Sequence, residues 1–327
     1  MTTYSEAAHK AGLRLADALD GTHERVLMVN DQASGLRAVI AIHSTVLGPA
    51  LGGLRIRQYA GGPPEALDDA LRLSAAMTLK AAAAGLDLGG GKCVVLDDGQ
   101  QEQREARLIA LAGEIEALEG SYITSEDIGT TTADIDLLAQ HTQHVVGRSQ
   151  SLTHGVAGDP SPATAQTVFA AIRAALETLD NSDELDGRTV GVIGLGKVGG
   201  PLARMLAQAG AQVIAFDPLV NAAGFDTAIQ EATLEQLFTT RMDVLAPCAV
   251  GGMIDEPVAA GLNCRIVCGA ANNPLADAAT AALLAQRGIL YVPDFMANCG
   301  GLVHADAERR GIDDTGVSQL LKEAGQR

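Results

Sequence analysis

One segment constrains the fold of this chain more than any other: the glycine pattern Gly194, Gly196 and Gly199. The pattern follows a run of small and β-branched residues at 189–193 and opens a segment with helical character. The next apolar run ends in Asp217, 18 residues after Gly199. A strand, a glycine turn, a helix and a second strand ending in an acidic residue are the fingerprint of a dinucleotide-binding βαβ unit. We therefore predict a parallel, doubly wound sheet in this half of the chain.

Each residue type in this fingerprint has a physical reason. Gly194 allows the tight turn, Gly196 lets the backbone approach a pyrophosphate, and Gly199 lets the helix pack closely on the strand. The helix N-terminus supplies unpaired N–H groups for the phosphates. A carboxylate at Asp217 can accept hydrogen bonds from both ribose hydroxyls and would repel a 2′-phosphate, so NAD is favoured over NADP. The predicted cofactor contacts here are Gly194, Leu195, Gly196, Lys197, Val198, Gly199 and Asp217.

The remaining periodicity alternates strands and helices in both halves, which predicts an α/β protein. The turn-rich segment 151–164 is the best boundary between two domains. Two glycine-rich stretches, 48–55 and 89–91, are predicted to be loops, and the second leads into a strand. The other predicted elements are strands at 25–31, 36–45, 121–127, 242–247, 264–270 and 289–294, and helices at 5–20, 63–84 and 102–118.

Composition excludes several classes of protein. The 327 residues carry a net charge of −17, which disfavours nucleic acid as a partner because such binding needs a basic face. No apolar run is long enough to span a bilayer, and the polar N-terminus does not resemble a signal peptide, so a cytoplasmic location is expected. The five cysteines are scattered without a His/Cys cluster, and no metal site is expected.

Lysine is rare in this chain, since only five of the 23 basic residues are lysines. Lys80 lies in the last turn of the predicted helix 63–84, where it could bind a ligand or simply cap the helix. Lys92 follows three glycines and precedes an apolar strand, and burial there would lower its pKa toward that of a general base. Asp127 ends a predicted strand, and its alternative role is the N-cap of the helix that follows.

Longer stretches around these residues resemble a known family. They run colinearly from about residue 24 to 308 and include GPALGGLRIRQY, ALRLSAAMTLKAAAAGLDLGGGK, YITSEDIGTTTADIDLL, GDPSPATA, DVLAPCAVGG, GAANNPLAD and YVPDFMANCGGLVHADAE. These motifs are similar to those of the Glu/Leu/Phe/Val dehydrogenase family, especially its leucine, valine and phenylalanine members. The resemblance implies two domains around a cleft, with an α/β substrate domain at 1–150 and a Rossmann-type NAD domain at 151–300. It further implies that a helical segment at 301–327 returns toward the first domain and that the protein is a homo-oligomer.

The resemblance also implies an activity, the reversible NAD-dependent oxidative deamination of an apolar L-amino acid to a 2-oxo acid. Lys80 would bind the substrate carboxylate, Lys92 would be the catalytic base, and Asp127 would hold the amino group and relay protons. The other implied contacts are Gly52, Gly53 and Asn273 for the substrate, and Thr164 and Asn298 for the nicotinamide.

The side-chain pocket implied by the resemblance consists of Leu51, Ser125, Leu302 and Ala305. None of these residues is charged, whereas a substrate γ-carboxylate needs a cation or a hydroxyl group, so glutamate dehydrogenase is the weaker alternative. The small Ala305 leaves room for a larger side chain and favours phenylalanine or leucine over valine, with tryptophan also open.

Two further alternatives belong to other functional classes. A non-catalytic NAD-binding sensor on the same fold would be expected to lose Lys80, Lys92 or Asp127, and all three are present. A reductase that acts on an alcohol would not need both lysines. The sequence therefore favours the amino-acid dehydrogenase.

Overall fold

The computed structural model describes residues 22–150, 155–221, 225, 226 and 228–325. The helix predicted at 5–20 lies outside these residues, as does the start of the predicted domain boundary. The chain divides into two compact units. The first contains residues up to Gly158 together with Ala305–Asp314, and the second contains Asp159–His304 together with the residues from Thr315 onward.

The first unit is built on a mixed five-stranded sheet with the order β1-β2-β4-β3-β5. β1 and β4 run antiparallel to β2, whereas β3 runs parallel to both of its neighbours, β4 and β5. The strands are β1 Arg25–Asp31, β2 Leu36–Ser44, β3 Ala50–Arg57, β4 Gly89–Leu96 and β5 Tyr122–Glu126, and the helices are α1 Pro63–Ala84, α2 Arg104–Glu116 and α3 Thr132–Leu138.

Apolar side chains cover both faces of this sheet. Helix α1 begins with two prolines at its N-terminus and ends at Gly85, whose φ of 68° is the left-handed conformation typical of a C-cap. It packs residues such as Leu67 and Leu71 against Val39 and Val94 on one face. A second cluster, which includes side chains from α2 and α3, covers the opposite face.

The two predicted glycine loops are wrong, because residues 50–57 and 89–96 are strands. Glycine is required there by close packing. A Cβ at Gly90 would lie 2.2 Å from the backbone nitrogen of Thr78 in α1, and a Cβ at Gly89 would lie 1.8 Å from the carbonyl oxygen of Ser44. In these strands glycine therefore marks backbone-to-backbone contact, a signal that sequence alone does not distinguish from a turn.

The second unit contains a six-stranded parallel sheet with the order β11-β10-β9-β6-β7-β8. This order is that of the doubly wound nucleotide-binding fold, as predicted. The strands are β6 Thr189–Ile193, β7 Gln212–Phe216, β8 Ile229–Glu231, β9 Met242–Pro247, β10 Cys264–Val267 and β11 Leu290–Tyr291.

The helices from residue 161 onward complete the described elements. They are α4 Ser161–Asp180, α5 Gly199–Gln208, α6 Leu234–Thr239, α7 Glu256–Gly261, α8 Ala278–Gln286, α9 Asp294–Ala297, α10 Gly300–Arg310 and α11 Asp314–Gly325. Helix α10 begins in the second unit and ends in the first. Across the described ranges, no helix combines the length and apolarity needed to cross a bilayer.

Candidate active site

A buried ion pair joins two of the predicted catalytic residues in the first unit. Lys92 lies on β4 and Asp127 directly follows β5, and the two side chains meet across β3, the strand between them. The Nζ atom of Lys92 donates to Oδ2 of Asp127 at 2.7 Å. The same oxygen accepts a second hydrogen bond, at 2.9 Å, from Nε of Arg55 on β3.

Gly53 makes this approach across β3 possible. A Cβ at Gly53 would lie 2.7 Å from the Cβ of Asp127, closer than side-chain packing permits. Any larger residue at this position would push Asp127 away from Lys92. The neighbouring Gly52 is equally constrained, since its Cβ would overlap the carbonyl oxygen of Gly91. The two glycines therefore position the pair, whatever contact their backbone makes with a substrate.

Burial and charge set the protonation of the pair. Lys92 is only 5% exposed, and this burial lowers its pKa in spite of the opposing attraction of Asp127. Burial opposes ionisation of Asp127, but Lys92 and Arg55 outweigh it and lower the pKa of Asp127. The site thus combines an ionised carboxylate with a lysine that gives up its proton more readily than an exposed one.

The alternative role considered for Asp127 is wrong, because Asp127 does not cap the following helix. Thr131 is the N-cap of α3, and its Oγ1 accepts a hydrogen bond from the backbone nitrogen of Asp134. The Asp127 carboxylate instead accepts hydrogen bonds from Lys92 and Arg55, both at Oδ2. Its Oδ1 atom accepts no hydrogen bond from the residues that the structure describes.

Sequence reasoning missed three residues that extend this site. Nη1 of Arg55 donates to Oδ2 of Asp69 at 2.8 Å, and the hydroxyl group of Tyr59 donates to the same oxygen at 2.8 Å. Asp69 lies on α1, so the network ties this helix to β3. The available signal was an arginine between two apolar residues, but the stretch 48–55 was predicted to be a loop, where an arginine needs no buried partner.

The other predicted substrate residues of the first unit occupy different positions. Lys80 is half-buried near the C-terminal end of α1, one position before its last turn. Leu51 is 2% exposed and lies on the same face of β3 as Arg55, by the alternation of a strand. Ser125, half-buried on β5, pairs with Gly53 in the register of the two strands. Ala305 is half-buried on α10.

In the second unit, the glycine loop has the geometry that the fingerprint predicts. Gly194 has a φ of 96°, a conformation that favours glycine. A Cβ at Gly199 would lie 2.0 Å from the carbonyl oxygen of Gly194, so the start of α5 packs directly on the turn. A Cβ at Gly196 would meet nothing within 4 Å, which leaves its backbone open to a ligand. Lys197, in the same loop, is exposed, with its Nζ 3.7 Å from Oδ2 of Asp159.

Asp217 follows β7 and is held by backbone donors. Leu195 donates to Oδ2 at 2.7 Å, while Leu219 and Val220 donate to Oδ1 at 2.8 and 3.0 Å. Burial opposes ionisation of this carboxyl, but the three N–H groups outweigh it and lower its pKa. The carboxylate is therefore ionised and fixed at the end of the strand, as a ribose-binding residue needs to be.

Asn298 supplies a second feature that fits a nicotinamide dinucleotide. Its Nδ2 donates to the carbonyl oxygen of Ala270 at 3.0 Å and to Oδ1 of Asn272 at 2.8 Å. Its own Oδ1 is buried and accepts no hydrogen bond within the described part of the chain. A buried amide oxygen without a donor is costly, and a carboxamide N–H from a ligand would satisfy it.

The remaining predicted residues of the second unit lie on α4, on α10 and in the segment after β10. Oγ1 of Thr164, in the first turn of α4, donates to the carbonyl oxygen of Pro160 at 3.1 Å. Asn273 is exposed, with a φ of 47°, and its backbone nitrogen donates to Asp294 at 2.9 Å. Leu302 is buried near the start of α10. Among the described residues no group of three or more His, Cys, Asp or Glu side chains is placed to hold a metal ion.

A doubly wound sheet with an open glycine turn, and with a carboxylate fixed at the end of its second strand, is typical of a dinucleotide-dependent dehydrogenase. Three family profiles match the chain. They are described as Glu/Leu/Phe/Val dehydrogenase, dimerisation domain, over residues 23–144; Glutamate/Leucine/Phenylalanine/Valine dehydrogenase, over 219–311; and D-isomer specific 2-hydroxyacid dehydrogenase, NAD binding domain, over 168–250.

Individual relatives agree with these profiles. Leucine dehydrogenase of Thermoactinomyces intermedius is 41% identical over 296 residues, which cover 89% of this chain and 80% of the relative. Valine dehydrogenase of Streptomyces virginiae is 44% identical over 299 residues, with 90% and 83% covered. The crystal structure of L-tryptophan dehydrogenase from Nostoc punctiforme superposes with a TM-score of 0.84 at 33% identity, and 95% and 90% of the two chains are covered. The chain belongs to the Glu/Leu/Phe/Val dehydrogenase family, and its cofactor is NAD.

Proposed function

We propose that this protein catalyses the NAD-dependent oxidative deamination of an apolar L-amino acid to the 2-oxo acid and ammonia, and the reverse reaction. The observation that carries this proposal is the buried pair of Lys92 and Asp127, with Nζ and Oδ2 2.7 Å apart. A base of lowered pKa beside an ionised carboxylate is what the hydrolysis of an iminium intermediate requires.

Each residue of the first unit has one role in this mechanism. Lys80 binds the substrate carboxylate, and Oδ1 of Asp127, which has no donor among the described residues, accepts from the substrate amino group. NAD would supply the hydride acceptor for the substrate Cα–H bond, once the amino group has given one proton to the relay at Asp127. Lys92 then takes a proton from the water that adds to the resulting iminium, and Asp127 relays protons to the departing ammonia.

Residues of the second unit, together with the backbone of the first, complete the assignment. The loop from Gly194 to Gly199 holds the pyrophosphate, Asp217 binds the adenosine ribose, and Thr164 and Asn298 contact the nicotinamide. Gly52, Gly53 and Asn273 contact the substrate. For part of the segment 301–327, the proposed return toward the substrate domain is supported by Ala305–Asp314, which belong to the first unit, whereas the residues from Thr315 onward belong to the second.

The preferred substrate is a large apolar amino acid, with phenylalanine or leucine ahead of valine. Leu51 and Leu302 supply apolar surface, Ala305 leaves space, and Ser125 offers a hydroxyl group to a polar ring edge. No cation stands among these four, which disfavours glutamate because an unpaired buried γ-carboxylate is costly. The likeness to a tryptophan dehydrogenase supports a pocket that tolerates aromatic rings.

NADH production from a panel of the twenty L-amino acids tests both the activity and the preference. We expect the highest kcat/KM with phenylalanine or leucine. Ala305→Val is expected to shift kcat/KM toward smaller branched substrates by about 10- to 200-fold, the range that one or two methyl groups can provide. A wild-type enzyme that is fastest on glutamate, or fastest on alanine or valine and inert toward leucine and phenylalanine, would refute the pocket assignment. An enzyme inert on the whole panel would refute the activity.

The two lysines provide a matched pair of variants. Lys92→Ala is expected to abolish turnover, whereas Lys80→Ala is expected chiefly to raise KM by about 30- to 1000-fold through loss of a charge-assisted pair worth about 2–4 kcal/mol. NADH binding, followed by fluorescence titration, should be unchanged in both, because the cofactor residues lie in the second unit. Near-normal turnover of Lys92→Ala would show that another group is the base.

A homo-oligomer and a cytoplasmic location complete the proposal. The oligomer is supported by the family profile over residues 23–144, which is described as a dimerisation domain. It is also supported by β1, an edge strand of the first sheet that pairs only with β2 among the described strands.

A further inference from the structure

We propose that Arg55 is a positioning residue for the catalytic pair, holding the Asp127 carboxylate in place and keeping a second positive charge beside Lys92. The inference rests on the proposed function, since it concerns how the proposed base is prepared. Its evidence is a continuous chain of hydrogen bonds from Tyr59 through Asp69 and Arg55 to Asp127.

The geometry makes Arg55 a bridge between two carboxylates. Its Nε donates to Asp127 at 2.9 Å and its Nη1 donates to Asp69 at 2.8 Å, so the planar guanidinium is fixed at both ends. The side chains of Arg55 and Asp69 are 12% and 10% exposed, which limits screening by water. Arg72 holds the other oxygen of Asp69 at 2.8 Å and stabilises this anchor in turn.

The arrangement fixes which oxygen of Asp127 remains for the substrate. Lys92 and Arg55 both donate to Oδ2, and this leaves Oδ1 to accept from a substrate amino group. Without Arg55, the carboxylate could rotate and offer both oxygens to Lys92. That would strengthen the pairing of Lys92 and occupy the oxygen that the substrate needs.

The charges predict opposite effects for two substitutions. The positive charge of Arg55 lowers the pKa of Lys92, while the negative charge of Asp69 raises it. Arg55→Gln should therefore raise the pKa of Lys92, and Asp69→Asn should lower it. Asparagine keeps the shape of aspartate and can still accept from Arg55, so Asp69→Asn changes mainly the charge.

The test is the pH profile of kcat/KM for deamination, with the best substrate of the panel. The acidic limb of this profile reports the loss of the proton from Lys92. We expect Arg55→Gln to move the acidic limb to higher pH by about one unit, so that kcat/KM at a given pH on the limb falls about tenfold. We expect Asp69→Asn to move the acidic limb to lower pH. Arg37→Gln, which removes the same charge from an exposed position on β2, should leave it unmoved.

A second measurement does not depend on catalysis. The pH dependence of acetylation of Lys92 by acetic anhydride, read by mass spectrometry, reports its pKa in every variant. Shifts of opposite sign in Arg55→Gln and Asp69→Asn support the inference, even if the panel shows no dehydrogenase activity. Folded variants in which neither the limb nor the labelling midpoint moves would overturn it while leaving the proposed function intact. If Arg55→Gln fails to fold, Asp69→Asn alone decides, and an unmoved midpoint overturns the inference.

Discussion

Three backbone N–H groups converge on the carboxylate of Asp217 at the end of β7. They hold the negative charge where an adenosine ribose is expected. The N–H groups belong to Leu195, in the glycine loop, and to Leu219 and Val220, in the segment after β7. The residue that we propose to select the cofactor therefore also links two loops, and we expect its replacement to have two separable effects.

We predict that Asp217→Asn narrows the preference for NAD over NADP, because it removes the like-charge repulsion of a 2′-phosphate and keeps one hydrogen-bond acceptor. Asp217→Ala should narrow the preference similarly and also weaken the binding of both cofactors, because the loops lose their anchor. The ratio of kcat/KM for the two cofactors measures the first effect, and fluorescence titration measures the second. A wild-type enzyme that prefers NADP would contradict the assignment.

At the same scale, some residues of the candidate site could be predicted from the sequence and others could not. Lys92 and Asp127 stand in motifs whose chemistry can be interpreted locally, and the structure brings them together. Arg55 stands in the stretch 48–55, which the sequence predicted to be a loop. Its two partners, Asp69 and Asp127, are 14 and 72 residues away along the chain, and no local pattern indicates such contacts.

At the scale of elements, β4 shows why strand prediction failed where packing was tightest. The parallel sheet of the second unit follows from apolar runs bounded by turn residues, and the structure confirms it. In β4, by contrast, three glycines replace the expected β-branched residues, because each meets a different close neighbour: Ser44 of β2 at Gly89, helix α1 at Gly90 and the ring of Tyr122 at Gly91. Strand propensity does not reveal this packing requirement, because the requirement comes from residues that are distant in the chain.

The packing of α1 on β4 predicts the effect of a single methyl group. A Cβ at Gly90 would lie 2.2 Å from the nitrogen of Thr78 and 2.4 Å from the oxygen of Ser74, both rigid helix backbone. Gly90→Ala should lower the free energy of unfolding by about 1–3 kcal/mol. Gly113→Ala is the matched control, since a Cβ at this position in α2 meets nothing within 4 Å. It should stabilise by about 0.5–1 kcal/mol, because alanine favours helix over glycine.

Urea unfolding of the two glycine variants, followed by circular dichroism, measures this difference. The midpoint for Gly90→Ala should fall and that for Gly113→Ala should rise. Equal midpoints would show that α1 can move away from β4 at little cost, and would weaken the explanation given for the glycines of this strand.

At the scale of the whole molecule, the edge of the first sheet bears on assembly. Strand β1 pairs with β2 on one side only among the described strands, and it carries Met28, which is 61% exposed. A strand edge that has no further partner among the described strands, and that carries an exposed apolar residue, is suited to be an interface in an oligomer.

We therefore expect light scattering after size-exclusion chromatography to give a molecular mass that corresponds to two or more chains of 33.6 kDa. Met28→Lys should lower the assembled fraction, because a charge would be buried at the edge. Arg37→Gln, also in this sheet, serves as the control substitution and should leave the mass unchanged. A wild-type mass of one chain at micromolar concentration would contradict the proposed homo-oligomer.

The position of β3 between β4 and β5 has a consequence for how the protein acquires its activity after synthesis. Lys92 and Asp127 are 35 residues apart in the chain, and Arg55 and Asp127 are 72 apart. Contacts of such long range form late, because the chain entropy lost in closing them is repaid only when the sheet is complete. Helical signal should therefore return before turnover when the unfolded chain is allowed to refold. The reappearance of enzyme activity would time the insertion of β3 between β4 and β5, its two parallel neighbours.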